Sequence, residues 1–173
     1  LLERAGTGAN LVTDAVINVA PTLSDKVDIV QNAIELGIAI GIDQPRVAVL
    51  CAREIVDAKV ACTLDASALC KMAERGQIVG GLVDGPLAFD NALDSNAARA
   101  RGIQSPVAGE ADVLVAPDLE AANMLAKQLE YMTDAKGAGV VMGARVPIAL
   151  TGRSVDELTR LASCAMAVNV HQY

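Results

Sequence analysis

Three observations predict an α/β fold built on a largely parallel sheet with helices on both faces. Short apolar runs alternate with segments of helical periodicity almost from end to end. The turns that join them are short. No repeat, low-complexity segment or flexible linker interrupts the alternation, so residues 1–173 read as a single α/β domain. Right-handed crossovers between parallel strands then distribute the helices over the two faces.

The elements follow in order. Asn10 to Thr13 and Val16 to Val19 are short apolar runs expected to be extended. Thr22 with Asp25 three residues on is a capping-box start, and Leu23, Val27, Val30 and Ile34 share one helical face. Arg46 to Leu50 (RVAVL) reads as a buried strand. Thr63 is expected to open the next helix, with Leu64, Ala68 and Met72 as its buried stripe and Gly76 as its stop. Ile78 to Val83 is expected to be a strand that Asp84-Gly85-Pro86 breaks. Phe89 to Ala100 reads as one helix ending near Gly102, and Val113 to Ala116 as a strand. Asp118 caps a helix through Met124, Leu125 and Leu129. Gly139 to Met142 and Val146 to Leu150 are the last strands, and a final helix runs from Val155, capped by Ser154 with Glu157.

Composition excludes several functions. With 53% hydrophobic residues the chain is globular, yet no apolar run approaches the roughly 20 residues that span a bilayer. The first residues lack the pattern of a signal peptide. A net charge of -7 without a basic cluster argues against nucleic acid. With no Trp, one Phe and two Tyr, base-stacking platforms and aromatic cages are unavailable. Cys51, Cys62, Cys70 and Cys164 form no CxxC, and the one histidine is His171, expected at the surface; the cysteines read as small buried residues of a cytoplasmic protein. Acidic residues are scattered, so no metal is implied, and no G-x-G-x-x-G follows a strand.

The segment Pro147-Ile-Ala-Leu-Thr-Gly-Arg-Ser-Val-Asp-Glu-Leu158 carries the most chemistry. A strand end leads through Thr151, Gly152 and Arg153 into a helix start, where unpaired N–H groups and the helix dipole favour an anion. Arg153 adds a rigid fork of donors suited to phosphate oxygens, although a solvated arginine paired with Asp156 would show the same pattern. Ligands of open α/β sheets collect beyond the carboxyl ends of strands. On a parallel sheet the turns at Val83-Asp84-Gly85-Pro86, at Ala116-Pro117-Asp118 leading to Asn123, and at Leu150-Thr151-Gly152-Arg153 would therefore lie along one edge. Asp84, Gly85, Asp90 and Asn91 around the first turn, Pro106 and Gly109 in the Ser105–Gly109 loop, and Asn123 are substrate-binding candidates; turn-forming and capping roles account for them equally.

Several segments also occur in a familiar order. Asn10-Leu-Val-Thr-Asp-Ala-Val-Ile-Asn-Val-Ala-Pro21 precedes Thr63-Leu-Asp-Ala-Ser-Ala-Leu-Cys-Lys-Met-Ala-Glu-Arg-Gly76, then Val83-Asp-Gly-Pro-Leu-Ala-Phe-Asp-Asn-Ala92, Ser105-Pro-Val-Ala-Gly109 and Ala111-Asp-Val-Leu-Val-Ala-Pro-Asp-Leu-Glu-Ala-Ala-Asn-Met-Leu-Ala-Lys-Gln-Leu129. This order resembles the phosphate acetyltransferase/phosphate butyryltransferase family, nearest the butyryl-type branch and the acyltransferase part of joint enoyl-CoA hydratase/phosphate acetyltransferase proteins. The resemblance implies reversible acyl transfer, acyl-CoA plus phosphate giving acyl phosphate plus CoA. It implies CoA as a substrate rather than a bound cofactor, and a homodimer or larger assembly. The implied fold is like that of isocitrate and isopropylmalate dehydrogenases, two α/β domains across a cleft, of which this chain resembles the later part. An isolated CoA- or phosphate-binding or dimerisation module is the alternative.

Arg153 matches the family's arginine after the last strand. In acetyl-type members that arginine follows a serine and precedes, by six positions, an acidic residue proposed as base on the CoA thiol. Here those positions hold Gly152 and Thr159, so the arginine carries over and the base does not. Arg145 stands where the family keeps a basic residue, and the Thr151 hydroxyl falls within the phosphate turn.

Overall fold

The structure is a computed structural model and describes residues 2–4, 8–152 and 156–172. Its elements are β1 (Leu2–Arg4), β2 (Gly8–Thr13), α1 (Leu23–Ala39), β3 (Arg46–Leu50), α2 (Ala61–Glu74), β4 (Leu82–Leu87), α3 (Phe89–Leu93), α4 (Ser95–Ala100), β5 (Val113–Val115), α5 (Leu119–Met132), β6 (Lys136–Gly137), β7 (Gly139–Val141), β8 (Ile148–Leu150) and α6 (Glu157–Gln172). The main sheet has the order β4-β3-β5-β2-β1-β6. Its β4, β3, β5 and β2 run parallel, whereas β1 is antiparallel to both β2 and β6.

The parallel part forms because both faces of its strands are apolar. Val47, Val49 and Cys51 face Val30 and Ile34 of α1 and Leu69 of α2. Ala48 and Leu50 face the other way, onto Leu87, Ala92, Val107 and Leu114. Each fully buried aliphatic side chain of this kind stabilises the fold by about 1.5–3 kcal/mol relative to exposure. Two helical layers therefore sandwich the sheet, as the alternation predicts.

Local chemistry sets the helix ends. Thr22 opens α1 with a complete capping box: the Asp25 N–H donates to Thr22 Oγ1 at 3.3 Å, and the Thr22 N–H donates to Asp25 Oδ2 at 2.8 Å. Asp118 caps α5 by accepting the Ala121 N–H at 2.8 Å. Behind α1, the buried Lys26 ammonium pairs with Asp65 of α2 at 2.7 Å and ties the two helices together.

The chain departs from the sequence expectations at several places. Val16 to Val19 is a turn region rather than a strand. The helix α2 begins at Ala61, so Thr63 lies inside it, fully buried, its hydroxyl accepting the Asp57 N–H at 2.9 Å. The buried stripe is accordingly Thr63, Ala66 and Leu69, while Leu64 is exposed. Strand β4 continues through Asp84-Gly85-Pro86 because β4 is a sheet edge, where a proline's missing donor faces no neighbour. The Cys51 N–H still reaches Leu87 O at 2.9 Å across a register shift. Phe89 to Ala100 divides at Asp94, whose carboxylate accepts the Asn96 N–H at 2.7 Å and so starts a second helix, α4. Helix α6 starts at Glu157, later than expected; Asp156 accepts the Thr159 N–H at 2.8 Å in the capping role expected of Ser154. Cys164 is exposed rather than buried; all four cysteines are free thiols.

Beyond β6 the chain leaves the main sheet without turning back. It becomes β7, which pairs antiparallel with β8 in a separate two-stranded sheet flanked by α6. The three candidate turns therefore do not share one sheet edge: Ala116-Pro117-Asp118 ends β5, Asp84-Gly85-Pro86 lies within β4, and Leu150-Thr151-Gly152 ends a strand of the other sheet.

Candidate active site

At the carboxyl end of β2 the chain folds over a carboxylate. Asp14 Oδ1 accepts the N–H groups of Val16 at 2.9 Å and Ile17 at 3.0 Å. Asp14 Oδ2 accepts the backbone N–H and the side-chain Nδ2 of Asn18, at 2.8 and 2.7 Å. Partial burial pushes this carboxyl's pKa up, but the N–H donors from Ile17, Val16 and Asn18 outweigh it, and the group stays below the usual carboxylate range. With both oxygens engaged, Asp14 is an ionised organiser of the loop and a poor proton acceptor. Asn123 fastens the loop to α5 by donating from Nδ2 to Ala15 O at 3.1 Å.

Under this loop lies a cavity of about 460 Å³ between the main sheet and the β7–β8 hairpin. Its walls come from the Thr13–Asn18 loop, α1, α5, the 137–142 strand run, the Leu150–Gly152 turn and α6. Such a volume falls in the range of small-molecule sites. Lys127 is the cationic side chain among the described lining residues; its ammonium pairs with Glu130 at 3.1 Å and stands 5.7 Å from the Tyr131 ring centre. Gly152, the residue before Arg153 in the sequence, lines the same space. Arg153 and Ser154 themselves lie outside the described residues.

The structure brings together three of the sequence candidates here: Thr151, Gly152 and Asn123. Arg145 borders a neighbouring hollow with Asn32, Glu35 and His171. The others gather elsewhere. Asp84 and Gly85 face α2, where Cys70 Sγ donates to Gly85 O at 3.3 Å; burial, reinforced by the Asp84 charge, pushes the Cys70 thiol up to about 12. Asp90 is exposed, 3.7 Å from Arg101. Asn91 is fully buried, and neither its Oδ1 nor its Nδ2 has a partner. Gly109 donates its N–H to Asn91 O at 2.8 Å, and Pro106 lies exposed in the same loop.

The sequence of residues 1–168 matches the phosphate acetyl/butaryl transferase family model. The chain belongs to this family. It is 62% identical over 161 residues to a phosphate acetyltransferase of Rhizobium meliloti, covering 93% of this chain and 51% of that protein. It is 44% identical over 159 residues to a phosphate butyryltransferase of Clostridium acetobutylicum, covering 92% of this chain and 53% of that one. The crystal structure of a branched-chain phosphotransacylase from Enterococcus faecalis V583 superposes with a TM-score of 0.88 at 31% identity, over 98% of this chain and 60% of that one. The chain spans about half the length of the curated relatives it matches.

Within this phosphate acetyl/butaryl transferase chain, sequence reasoning missed Asp14 and Asn18. The signal was present: two polar side chains four residues apart, interrupting an apolar run directly after a strand. An extended reading of Val16 to Val19 hid it. Asn32 and Lys127, also on the cavity wall, carry no local signal, because only the tertiary fold brings α1 and α5 to one cavity.

Proposed function

We propose that this chain carries the acyltransferase site of a phosphate acyltransferase, which moves an acetyl- or butyryl-type acyl group reversibly between CoA and inorganic phosphate. The observation that supports it is the cavity into which the Thr151–Gly152 turn opens, in a chain of this family. In this reading the N–H donors of the Arg153 guanidinium hold phosphate against the thioester carbonyl. A phosphate oxygen attacks the carbonyl carbon, the negative charge that develops on the carbonyl oxygen is stabilised by the same donors, and collapse expels the CoA thiolate. Thr151 adds a hydroxyl to the turn, and Asn123 holds the loop over it. Arg145, Asp84, Gly85, Asp90, Asn91, Pro106 and Gly109 remain candidates for CoA contacts or for shaping the surrounding loops. The reading carries with it a cytoplasmic enzyme acting as a homodimer or larger homo-oligomer.

The test is acyl phosphate formation from acyl-CoA and phosphate, followed through thiol release. Arg153→Ala is expected to lower turnover by about 10²–10³-fold, the effect of removing one oxyanion donor. Unchanged turnover in that variant would remove the mechanism. The second reading is an isolated CoA- or phosphate-binding or dimerisation module. Saturable CoA binding without any turnover by the 173-residue chain selects it.

A further inference from the structure

Helix α2 connects the parallel strands β3 and β4, so it runs back against them and its first turn lies over the carboxyl end of β3. The meeting point is marked at Gly85, where an added Cβ would stand 2.9 Å from Val49 Cβ and 3.3 Å from Ala66 Cβ. One turn before Ala66, on the same helix face, is Cys62. Two residues beyond Val49, on the same strand face, is Cys51. Both steps are about 6–7 Å and lead in the same direction, which sets the two cysteines opposite each other. Both pack in the apolar layer that the sheet shares with α1 and α2. The Cys62 thiol acts on Cys51 as a side-chain hydrogen-bond partner. Cys70 lies eight residues further along α2, about 12 Å of helix away, and Cys164 is exposed on α6.

The paired thiols differ in access. Cys51 is buried at 7% exposure, whereas Cys62 is half-buried. Burial, with the Cys62 contact added to it, pushes the Cys51 thiol well up, and a buried thiol of this kind is inert toward outside reagents. Cys62 is the one a reagent reaches. Once Cys62 carries a leaving group, Cys51 needs no access of its own, because proximity takes the place of acidity. We propose that Cys51 and Cys62 form a thiol–disulfide exchange site, at which a small disulfide such as oxidised glutathione generates an internal disulfide that ties the start of α2 to the end of β3. Cys62 Sγ, as thiolate, attacks one sulfur of the reagent; the reagent's S–S bond breaks, and the departing thiolate takes up the proton that Cys62 gave away. Cys51 Sγ then attacks Cys62 Sγ and expels the second thiolate, which takes up the Cys51 proton. The chain loses two electrons and two protons, and the reagent is reduced to two thiols.

The test treats the native chain with oxidised glutathione, quenches in acid, then denatures, alkylates and maps the peptides by mass spectrometry. The peptides that hold Cys51 and Cys62 are expected to appear joined, and the alkylated share of both residues to fall together toward zero. Dithiothreitol restores both. Cys164, exposed and without a neighbouring thiol, is expected to carry a glutathione adduct instead, which reports that the reagent was active. In Cys51→Ala the adduct stays on Cys62, and in Cys62→Ala Cys51 stays fully alkylatable. Mapping of the unmodified chain decides the matter even where a variant fails to fold. The exchange site is overturned if Cys62 keeps its adduct beside an unlinked Cys51, if both residues remain alkylatable while Cys164 is modified, or if the link runs to Cys70 or Cys164.

Discussion

The main parallel sheet and the β7–β8–α6 segment are built to different degrees of completion. On the sheet, Val47, Val113 and Leu114 are fully buried between helices on two sides. In the second region β8 leaves Ile148 at 46% exposure, and α6 buries only Ser163 and Met166 among its described residues. Its outward stripe, Leu158, Leu161 and Val168, is 61%, 66% and 54% exposed. A two-stranded sheet is marginal by itself. The hairpin is held where it is by Met166, Val140 and Met142 packing on the α1 side of the core. The comparison teaches that the scaffold and the site belong to different levels of stability: the sheet supplies a rigid back wall, and the weaker segment supplies the turn that carries Thr151 and Gly152.

The contrast is broken most sharply by truncating one residue from each region. Leu114→Ala, in the centre of the sheet, is expected to lower unfolding stability by about 2–5 kcal/mol. Leu161→Ala is expected to stay within about 0.5 kcal/mol. Urea midpoints of the two variants measure both, and equal losses would show that α6 is covered in solution.

Gly109→Ala comes next. Gly109 adopts φ +86°, and an added Cβ would stand 2.5 Å from Ser95 Cα, so both backbone conformation and space oppose the change. A loss of about 1–3 kcal/mol is expected, seen as a lowered thermal midpoint.

Asp14→Asn probes the junction between the regions. It weakens a carboxylate that gathers three backbone N–H groups, and a loss of about 1–3 kcal/mol near neutral pH is expected. The pH dependence follows from the depressed folded-state pKa. The Asp14 contribution is fully present above the ordinary carboxylate range, about pH 4, and is lost as pH falls through the lower folded value. Unfolding midpoints measured from pH 6 down to pH 2 should therefore fall less steeply in Asp14→Asn than in the parent chain.

A smaller loss is expected at the start of α1. Thr22→Ala removes one side of the capping box and should lower stability by about 0.5–2 kcal/mol, read from denaturant unfolding.

Much of the fold is legible along the chain because its causes are local. The Thr22–Asp25 box and the Asp118 cap depend on residues three positions apart, and RVAVL becomes β3 over the same five residues predicted for it. Several misreadings occur where distant pairing decides. Pro86 is compatible with a strand only because β4 ends the sheet, a fact of topology. Strands β1 and β6 are two or three residues long and exist through their mutual pairing and that of β1 with β2. The candidate site shows the same division. Thr151 and Gly152 stand out next to a helix start, whereas Asp14 becomes conspicuous only once its oxygens are seen to collect the turn's N–H groups.

By itself, then, the amino-acid order determined the alternation of strands and helices, most helix starts and the family to which the chain belongs. Those rest on short-range periodicity, capping and motif order, which survive without neighbours. Tertiary structure alone decided that the last hairpin separates from the main sheet, that α1 and α6 pack together, and that one cavity joins the ends of β2 and β8. Such placements depend on which apolar surfaces bury one another across more than a hundred residues of chain, and no local pattern records that choice.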